Sequence, residues 1–244
     1  GPLRVTQFEG GQSNPTYRLD TDGPRLVLRR KPPGPLLPSA HAVDREYRVM
    51  KALCEKSSVP VARPHLLCED RGVIGTEFYV MDFVEGRVFW DPALPEVEPA
   101  DRRPLYEAMN ETLATLHALD PSAIGLGDFG RPEGYVARQL HRWTKQYQAD
   151  DVAGRDPVMD RLTEWLAANV PAREPAPAVV HGDFRLDNLV FHPTEPRVVA
   201  VMDWELSTIG DPLADFAYHL MAYRMSSASV RGLKGKDVRA LGLP

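Results

Sequence analysis

The spacing of apolar residues changes about one third of the way along the 244-residue chain, and this change restricts the folds open to it. The first part contains short strand-like runs separated by glycine and proline turns, with a single helical stretch at about 40–56. Beyond it helical spacing dominates, over roughly 100–118, 134–149, 157–169 and 212–224. The sequence therefore predicts an α+β fold with a small β-rich lobe over 1–84 and a larger, mainly helical lobe over 85–244.

In the predicted small lobe, the strand-like runs cover residues 3–8, 16–20, 25–29 and 78–84. The proline-rich stretch Pro32–Pro35 predicts a surface loop after the third run. The last run, Phe78–Val84, ends at Glu85-Gly86 and is predicted to connect the lobes as a hinge. A cleft between two lobes is a natural site for a nucleotide.

Two apolar strands of the larger lobe each lead directly into polar residues. Ala178–Val180 precedes His181-Gly182-Asp183-Phe184-Arg185-Leu186-Asp187-Asn188, and Val198–Met202 precedes Asp203. Phosphoryl transfer needs an acceptor hydroxyl aimed at the phosphate and a metal that neutralises the phosphate oxygens. Asp183 is suited to accept the hydroxyl proton, and Asn188 with Asp203 supplies the hard oxygen ligands that Mg²⁺ prefers. The pattern predicts a magnesium-dependent phosphotransferase site.

Composition excludes several other classes of function. A net charge of −5 gives no general attraction to nucleic acid or to an anionic membrane, and no apolar run reaches the length of a membrane span. Cys54 and Cys68 form no metal-binding pattern and fit reduced thiols in a cytoplasmic setting. We expect a small-molecule substrate rather than nucleic acid or a membrane. Both chain ends look cut, so a missing C-terminal part is also expected.

The motif H-G-D-x-x-x-x-N, followed by an apolar strand and D-W-E, resembles the aminoglycoside-phosphotransferase-like kinases, which are related to protein kinases by fold. The resemblance implies a protein-kinase-like two-lobed fold, ATP or GTP as co-substrate and Mg²⁺ as cofactor. It implies that Asp183 is catalytic and that Asn188 and Asp203 bind the metal. It covers about residues 10–220.

The same resemblance assigns a nucleotide site in the small lobe. Gly10-Gly11-Gln12-Ser13-Asn14 looks like the loop that covers the nucleotide, with Gly11, Ser13 and Asn14 as phosphate contacts. Arg29 matches the phosphate-contacting cation, and Glu46 matches the helix carboxylate that pairs with it. Met81 and Phe83 of the hinge are expected beside the adenine. The local sequence alone fits a plain hairpin turn at the glycine pair equally well. For Arg29 the alternative is a solvated residue at the end of a strand.

A narrower similarity concerns Gly134–Gln139, Trp143, Gln146-Tyr147 and the stretch from His181 to Tyr218. It looks like the branch whose kinase domain can be fused to acyl-CoA dehydrogenases, and it implies a hydroxyacyl-CoA as one acceptor to test beside aminoglycoside-like compounds. A homodimer or a fusion to another enzyme domain is the corresponding expectation for partners.

Several other polar residues near the motif have either a structural or a functional interpretation. His181 is expected to hold the catalytic loop rather than a metal, because no second histidine lies at a ligand-like spacing. Asp211 is expected to cap the helix that begins at Pro212; by resemblance, it also braces the catalytic loop. Asp215 is expected to be structural, and Glu205 is either a second-metal contact or a surface residue.

The acceptor pocket and the reaction itself also stay open. Arg138, Trp143 and Tyr147 either line an acceptor pocket or belong to an ordinary amphipathic helix. A catalytically silent nucleotide-binding module (a pseudokinase) is the main alternative function, and a metal-dependent hydrolase is a weaker one. A protein kinase is disfavoured because little chain separates Asp203 from the Pro212 helix.

Overall fold

The strand-like runs at the start of the chain pair into one antiparallel sheet. The computed structural model describes residues 2–8, 14–32, 41–152, 154–172, 175–226, 228 and 231–244. The strands of this sheet are β1 (Arg4–Gln7), β2 (Thr16–Asp20), β3 (Leu26–Arg30), β4 (Pro64–Cys68) and β5 (Phe78–Asp82). They lie in the order β1-β2-β3-β5-β4. The predicted Pro32–Pro35 loop falls largely outside the described residues.

Helix α1 (Val43–Lys56) packs against this sheet. Its buried apolar residues Val43, Val49, Met50 and Leu53 recur at helical spacing and form one face. Asp44 and Glu46 lie in the first turn of the helix and Lys56 in its last, which suits the helix dipole. The buried face of α1 therefore anchors the helix beneath the sheet and fixes the direction of its polar side chains.

The sequence prediction missed β4 and a short helix, α2 (Arg71–Ile74), both of which lie between α1 and β5. Strand β4 is at the edge of the sheet and is largely exposed or half-buried, so it lacks a clear apolar alternation. It begins with a proline, a position that edge strands tolerate because the missing N–H breaks no bond of the ladder. The small lobe thus holds one long helix, as predicted, and one extra helical turn.

The remaining long helices are α3 (Pro99–His117), α4 (Tyr135–Gln148), α5 (Pro157–Ala168) and α6 (Pro212–Leu220). Helix α3 buries Leu105, Met109, Leu113 and Leu116 in the core. α3, α5 and α6 carry proline in the first turn, where its missing N–H has no helical partner to lose. α3, α4 and α5 lie within about one residue of the predicted positions. α6 begins at Pro212 as predicted but ends at Leu220, four residues early, and Met221–Tyr223 form a 3₁₀ turn. The α+β fold class is confirmed.

Two small antiparallel sheets lie among these helices. One pairs β6 (Ala178–Val180) with β9 (Thr208–Gly210), and the other pairs β7 (Leu189–Phe191) with β8 (Val198–Val201). Strand β9 was not predicted, because only Ile209 of its three residues is a large apolar residue, whereas β6 is a continuous apolar run. Leu189 is paired with Val201, so the start of β7 and the end of β8 lie side by side. The residues just outside these two strand ends are consequently neighbours.

The chain passes from the five-stranded sheet into the larger lobe through Gly86 and Arg87. The backbone of Arg87 exchanges two hydrogen bonds of 2.8 Å with Phe191. A side chain at Gly86 would place its Cβ 2.2 Å from the carbonyl oxygen of Phe191, so only glycine fits this close approach. The lobe boundary predicted at residues 84 and 85 lies next to this contact and stays a prediction.

The C-terminal stretch, whose order the sequence left in doubt, partly packs into the core. Leu233 and Leu243 are buried, and Arg102 of α3 donates a 2.9 Å hydrogen bond to the carbonyl of Leu241. Within the ranges given above, no helix is long and apolar enough to cross a bilayer.

Candidate active site

The segment after β6 forms a tight loop around Asp183. Asn188 donates from Nδ2 to both the backbone oxygen and the carboxylate of Asp183, each at 2.8 Å. Arg185 approaches the same carboxylate at 3.1 Å, and Tyr218 is close enough for the Asp183 carboxylate to raise its pKa, after the larger effect of burial. A carboxylate has about four acceptor sites, so the donors from Asn188 and Arg185 leave room for a further hydroxyl.

His181 holds this loop from within the core. Its ring is fully buried and lies edge-on to Trp204, with ring centroids 4.7 Å apart. Nε2 lies 2.8 Å from the carbonyl of Met202, and Nδ1 accepts from the Asp183 backbone N–H at 3.2 Å. The tautomer with its proton on Nε2 satisfies both bonds. This geometry agrees with the structural role expected for His181.

Asp215 of α6 braces the loop from the other side. Its buried carboxylate accepts the backbone N–H groups of His181 and Gly182, each at 2.7 Å. His117 Nε2 lies 3.1 Å from the same carboxylate. The brace expected of Asp211 by resemblance is therefore supplied by Asp215. Asp211 caps α6 as predicted, accepting the Leu213 N–H at 2.9 Å.

Asn188 and Asp203 become neighbours through the β7–β8 pair. The backbone oxygen of Asn188 accepts the N–H of Met202 at 2.8 Å, and Met202 directly precedes Asp203. No donor among the described residues bonds Asn188 Oδ1, while Nδ2 is fully used on Asp183. Asp203 has φ 63° and ψ 61°, the left-handed conformation. Such outliers at functional sites cost about 1–3 kcal/mol and need support from their surroundings.

Arg29 connects the five-stranded sheet to Asp203. Its guanidinium donates to Asp203 Oδ1 at 2.6 Å and lies 3.6 Å from the carboxylate of Glu205. Arg29 lies two residues after the buried Val27 and so shares its face of β3, which turns both toward α1. Burial alone would lower the pKa of Arg29, but Glu46, Tyr79, Asp203 and Glu205 together more than offset it and raise that pKa. Arg29 is an anchored cation rather than a solvated strand end.

Glu46 of α1 is the buried partner of Arg29. Its carboxylate lies 2.9 Å from Arg29 Nε and accepts from the Tyr79 hydroxyl at 3.0 Å and from Asn14 Nδ2 at 2.6 Å. Burial raises the pKa of Glu46 to about 7, against the opposing effect of the Arg29 guanidinium. Because Arg29 and Tyr79 are paired residues on β3 and β5, one carboxylate reaches both.

Of the predicted phosphate-covering loop, only its last residue can be placed. Gly11 and Ser13 lie outside the described residues. Asn14 is buried, its Nδ2 is used on Glu46, and its Oδ1 lies 3.1 Å from His41 Nδ1. The side chain of Asn14 thus ties the end of the loop to the Arg29–Glu46 pair, and its direct contact with phosphate stays a prediction.

The predicted adenine contacts lie at the end of β5. Met81 is half-buried and packs against the core. The backbone N–H of Phe83 is used on the carbonyl of Arg25 at 3.1 Å, while its ring lies parallel to that of Phe8 with centroids 6.4 Å apart. The Phe83 N–H is therefore already used, and the contact of Met81 and Phe83 with a base stays a prediction.

The donor set at the end of β7 and β8 suits magnesium. Asn188 Oδ1 and the Asp203 carboxylate are hard oxygen donors, and Mg²⁺ in phosphoryl-transfer sites takes one or two such ligands together with phosphate oxygens and water. Within the described part of the chain, no group of three or more His, Cys, Asp or Glu side chains is arranged to hold a metal ion. The residues present fit an ion whose other ligands come with the nucleotide.

A cavity lies next to the loop that carries Asp183. Arg185, which bonds the Asp183 carboxylate, lines this cavity together with Tyr218. The sequence analysis singled out neither residue. Arg185 had one available signal, its position two residues after Asp183, but the contact from Tyr218 depends on how α6 packs and has no local signal.

The alternative acceptor residues on α4 lie elsewhere. Trp143 is half exposed, and the Tyr147 hydroxyl donates to Asp160 of α5 at 3.0 Å. Arg138 bonds the carbonyl of Arg131. None of the three lines the cavity beside Asp183. Their contacts favour the ordinary-helix interpretation.

Comparison with known proteins shows the family to which this chain belongs. The model of the phosphotransferase enzyme family, abbreviated APH, matches residues 4–236. The chain belongs to this family, as its sequence resemblance indicated. It is 49% identical to mouse acyl-CoA dehydrogenase family member 10 over 246 residues, covering all of this chain and 23% of that protein. The chain spans between about a quarter and a third of the curated relatives it matches.

Solved structures agree with this placement. A crystal structure from Ralstonia eutropha, described as that of an aminoglycoside phosphotransferase, is 51% identical with a TM-score of 0.88, covering all of this chain and 71% of that chain. A thermostable mutant of an aminoglycoside phosphotransferase, in ternary complex with AMP-PNP and hygromycin B, is 20% identical with a TM-score of 0.61, covering 87% of this chain and 70% of that chain. At that identity the likeness concerns the fold alone.

Proposed function

We propose that this protein transfers the γ-phosphoryl group of ATP or GTP, with Mg²⁺, to a hydroxyl group of a small molecule. The observation that carries the proposal is the linked placement of three polar side chains. Asn188 bonds Asp183 directly and is joined by its backbone to the residue before Asp203. Asp183 and Asn188 belong to one loop, and the pairing of β7 with β8 brings Asp203 beside that loop.

Each of these residues has a distinct role in the proposed reaction. Asp183 accepts the hydrogen bond of the acceptor hydroxyl, aims it at the phosphate and receives its proton. Asn188 Oδ1 and Asp203 hold Mg²⁺, which supplies neutralisation of the phosphate oxygens. Asn188 is suited to both sides of the site, because its nitrogen fixes Asp183 and its oxygen stays available.

The small lobe supplies the nucleotide site in this proposal. Arg29, held by Glu46 and in contact with Asp203, is placed to pair with phosphate oxygens. Gly11, Ser13 and Asn14 cover the phosphates, and Met81 with the Phe83 ring lies against the base. The AMP-PNP in the 20% identical structure supports a nucleoside triphosphate as co-substrate.

The names of the relatives suggest where the acceptor belongs. Proteins named acyl-CoA dehydrogenase family members match this chain over a fraction of their length. We therefore propose that the kinase domain works beside, or fused to, an enzyme of acyl-CoA metabolism, and that hydroxyacyl-CoA compounds head the list of acceptors to test.

The test is ADP release in the presence of Mg²⁺ and candidate acceptors, with Asp183→Ala as the decisive variant. Loss of a positioned acid–base group should lower kcat by about 10²–10⁴-fold. Asp151→Ala is the matched control, because Asp151 is an exposed carboxylate in the turn after α4. Turnover by Asp183→Ala equal to that of the control would contradict the assignment. Binding of Mg-ATP with no phosphorylated product in a broad acceptor screen would favour the pseudokinase alternative.

A further inference from the structure

The Glu46 carboxylate is oriented by two neutral donors rather than by its cation. The Tyr79 hydroxyl donates to Glu46 Oε2 at 3.0 Å, and Asn14 Nδ2 donates to Oε1 at 2.6 Å. Arg29 Nε lies 2.9 Å from Oε2, but it has no aligned hydrogen-bond acceptor in the described part of the chain. The attraction between Arg29 and Glu46 is thus without direction, and the two neutral donors set how the carboxylate is turned.

Tyr79 is a fixed donor. It lies on β5 directly opposite Arg29 on β3, so both side chains share one face of the sheet. Its side chain is buried, and its ring lies tilted against that of Tyr47 of α1 with centroids 6.4 Å apart. Burial, followed by the Glu46 carboxylate, raises the pKa of Tyr79 well above its usual value. The hydroxyl therefore keeps its proton and donates it to Glu46.

Asn14 reaches the other oxygen of Glu46 from the chain before β2. It is buried, and its Oδ1 lies 3.1 Å from His41 Nδ1. Because Nδ2 faces the carboxylate, Oδ1 is the acceptor in this second contact and His41 Nδ1 carries the proton. His41 precedes α1 by two residues and has φ 60°. A chain of hydrogen bonds thus runs from the residue ahead of α1 through Asn14 to the carboxylate of the same helix.

The direction of Glu46 decides what Arg29 presents to the site. While Nε lies against Glu46, Nη2 donates to Asp203 Oδ1 at 2.6 Å and lies 3.6 Å from the Glu205 carboxylate. A guanidinium is planar and carries its donors at fixed angles, so turning its Nε edge also turns its Nη edge. If the carboxylate were free to rotate, the guanidinium would follow it away from Asp203.

We propose that Tyr79 and Asn14 are positioning residues of the nucleotide site, which orient Glu46 so that the Nη edge of Arg29 faces the phosphates. The inference rests on the proposed function, since it takes phosphate as the ligand of Arg29. It goes further by giving a role to Tyr79, to which the sequence analysis assigned none, and by giving the Asn14 side chain a role through Glu46.

Tyr79→Phe is the decisive variant, and Tyr106→Phe is its matched control. Both tyrosines are buried, at 1% and 3% exposure, and both hydroxyls donate a hydrogen bond, but that of Tyr106 goes to the carbonyl of Pro92. Calorimetry is carried out at pH 8, because the pKa of Glu46 is about 7 and the carboxylate is then ionised. The probe is Mg-AMP-PNP or Mg-GMP-PNP, whichever the unmodified protein binds more tightly.

We expect Tyr79→Phe to weaken binding of this probe about tenfold, which corresponds to the loss of one hydrogen bond to a charged group. Tyr106→Phe should weaken it by less than about twofold. In ADP-release assays, the KM for the nucleotide should rise in Tyr79→Phe while the KM for the acceptor stays unchanged. A hydrogen bond that only stabilised the fold would give the two phenylalanine variants the same affinity.

The corresponding nucleoside, adenosine or guanosine, separates positioning from a general loosening of the site. It has no phosphates, so its dissociation constant, measured by competition with the probe, should be the same in Tyr79→Phe and in the unmodified protein. Glu46→Gln gives a second readout. Because Tyr79 acts through Glu46, adding Tyr79→Phe to Glu46→Gln should weaken probe binding by less than about twofold further.

The outcomes separate this inference from the proposed function. Equal probe affinity of the two phenylalanine variants, or equal weakening of probe and nucleoside, would overturn the positioning role, while acceptor-dependent ADP release would leave the kinase function standing. A loss confined to the phosphate-bearing probe, with no transfer to any acceptor, would retain the positioning role and contradict the kinase. Unmodified protein that binds neither probe would contradict both. If Tyr79→Phe does not fold, Asn14→Ala removes the other donor to Glu46, and the same comparison of probe and nucleoside decides.

Discussion

Replacing Asp215 by Asn should loosen the catalytic loop without changing the size of the side chain. Asp215 is buried, and its two carboxylate oxygens accept the backbone N–H groups of His181 and Gly182 separately, each at 2.7 Å. An asparagine can accept only one of these bonds, because its other terminal atom is an NH₂ group that faces the second N–H. The substitution therefore sets donor against donor directly beside Asp183.

The expected loss follows from these two bonds. A buried donor left without a partner costs about 1–3 kcal/mol, and the remaining bond loses roughly 1 kcal/mol because its acceptor is no longer charged. His117 Nε2, which lies 3.1 Å from the same carboxylate, also loses a charged neighbour. We expect the free energy of unfolding to fall by about 2–4 kcal/mol, a large share of the 5–15 kcal/mol typical of a domain.

Urea denaturation followed by circular dichroism measures this loss, and Asp211→Asn is the matched control on the same helix. Asp211 caps α6 through the Leu213 N–H, and asparagine caps helices as well as aspartate does, so the control should change stability by less than about 0.5 kcal/mol. Asp215→Asn should also reduce kcat, because the loop that carries Asp183 loses its brace. Equal stability of the two variants would refute the bracing role.

Two further predictions concern backbone conformation and pH. Gly182→Ala should destabilise the fold by about 1–3 kcal/mol more than Gly75→Ala in thermal unfolding, because both glycines have similar φ (87° and 84°) but only at Gly182 would a Cβ meet the backbone of Leu206, at 2.8 Å. Equal losses would show that this contact is unimportant. Since burial raises the pKa of Glu46 from 4.5 to about 7, the folded protein holds a proton that the unfolded chain has already lost, and stability should decline as pH rises through this window. Glu46→Gln should reduce that decline in urea titrations at pH 5 to 8, and an unchanged slope would contradict the shift.

Much of the candidate site could be predicted because its chemistry lies beside strongly apolar strands. Asp183 and Asp203 follow runs of buried residues, so both the strands and the polar positions at their ends are visible in the sequence. The pairing of β7 with β8 then brings Asn188 next to Met202 and Asp203. Strand alternation separates Arg29, on the face of Val27, from Arg30, on the face of Leu28, but the choice of Arg29 also needed the family resemblance.

Other features depend on tertiary packing, which gives no signal in the local sequence. The choice between Asp211 and Asp215 as the brace is set by the rotation of α6, and both residues are equally reasonable in sequence. Tyr218, on the same helix, faces Asp183 for the same reason. The exposed edge strand β4 has no period to detect, because half-buried side chains alternate weakly between polar and apolar character.

The unusual backbone at Asp203 is explained by what surrounds it. A left-handed aspartate is less costly than most residues there, because short polar side chains tolerate this conformation. Val201 and Trp204 are buried on either side of it, and the Trp204 indole donates a 3.0 Å hydrogen bond to the carbonyl of Val201. This closed turn fixes the strained residue between two core positions, so that its carboxylate stays 28% exposed and bonded to Arg29 rather than folding back onto the chain. The buried residues on either side of Asp203 therefore set the direction of its carboxylate.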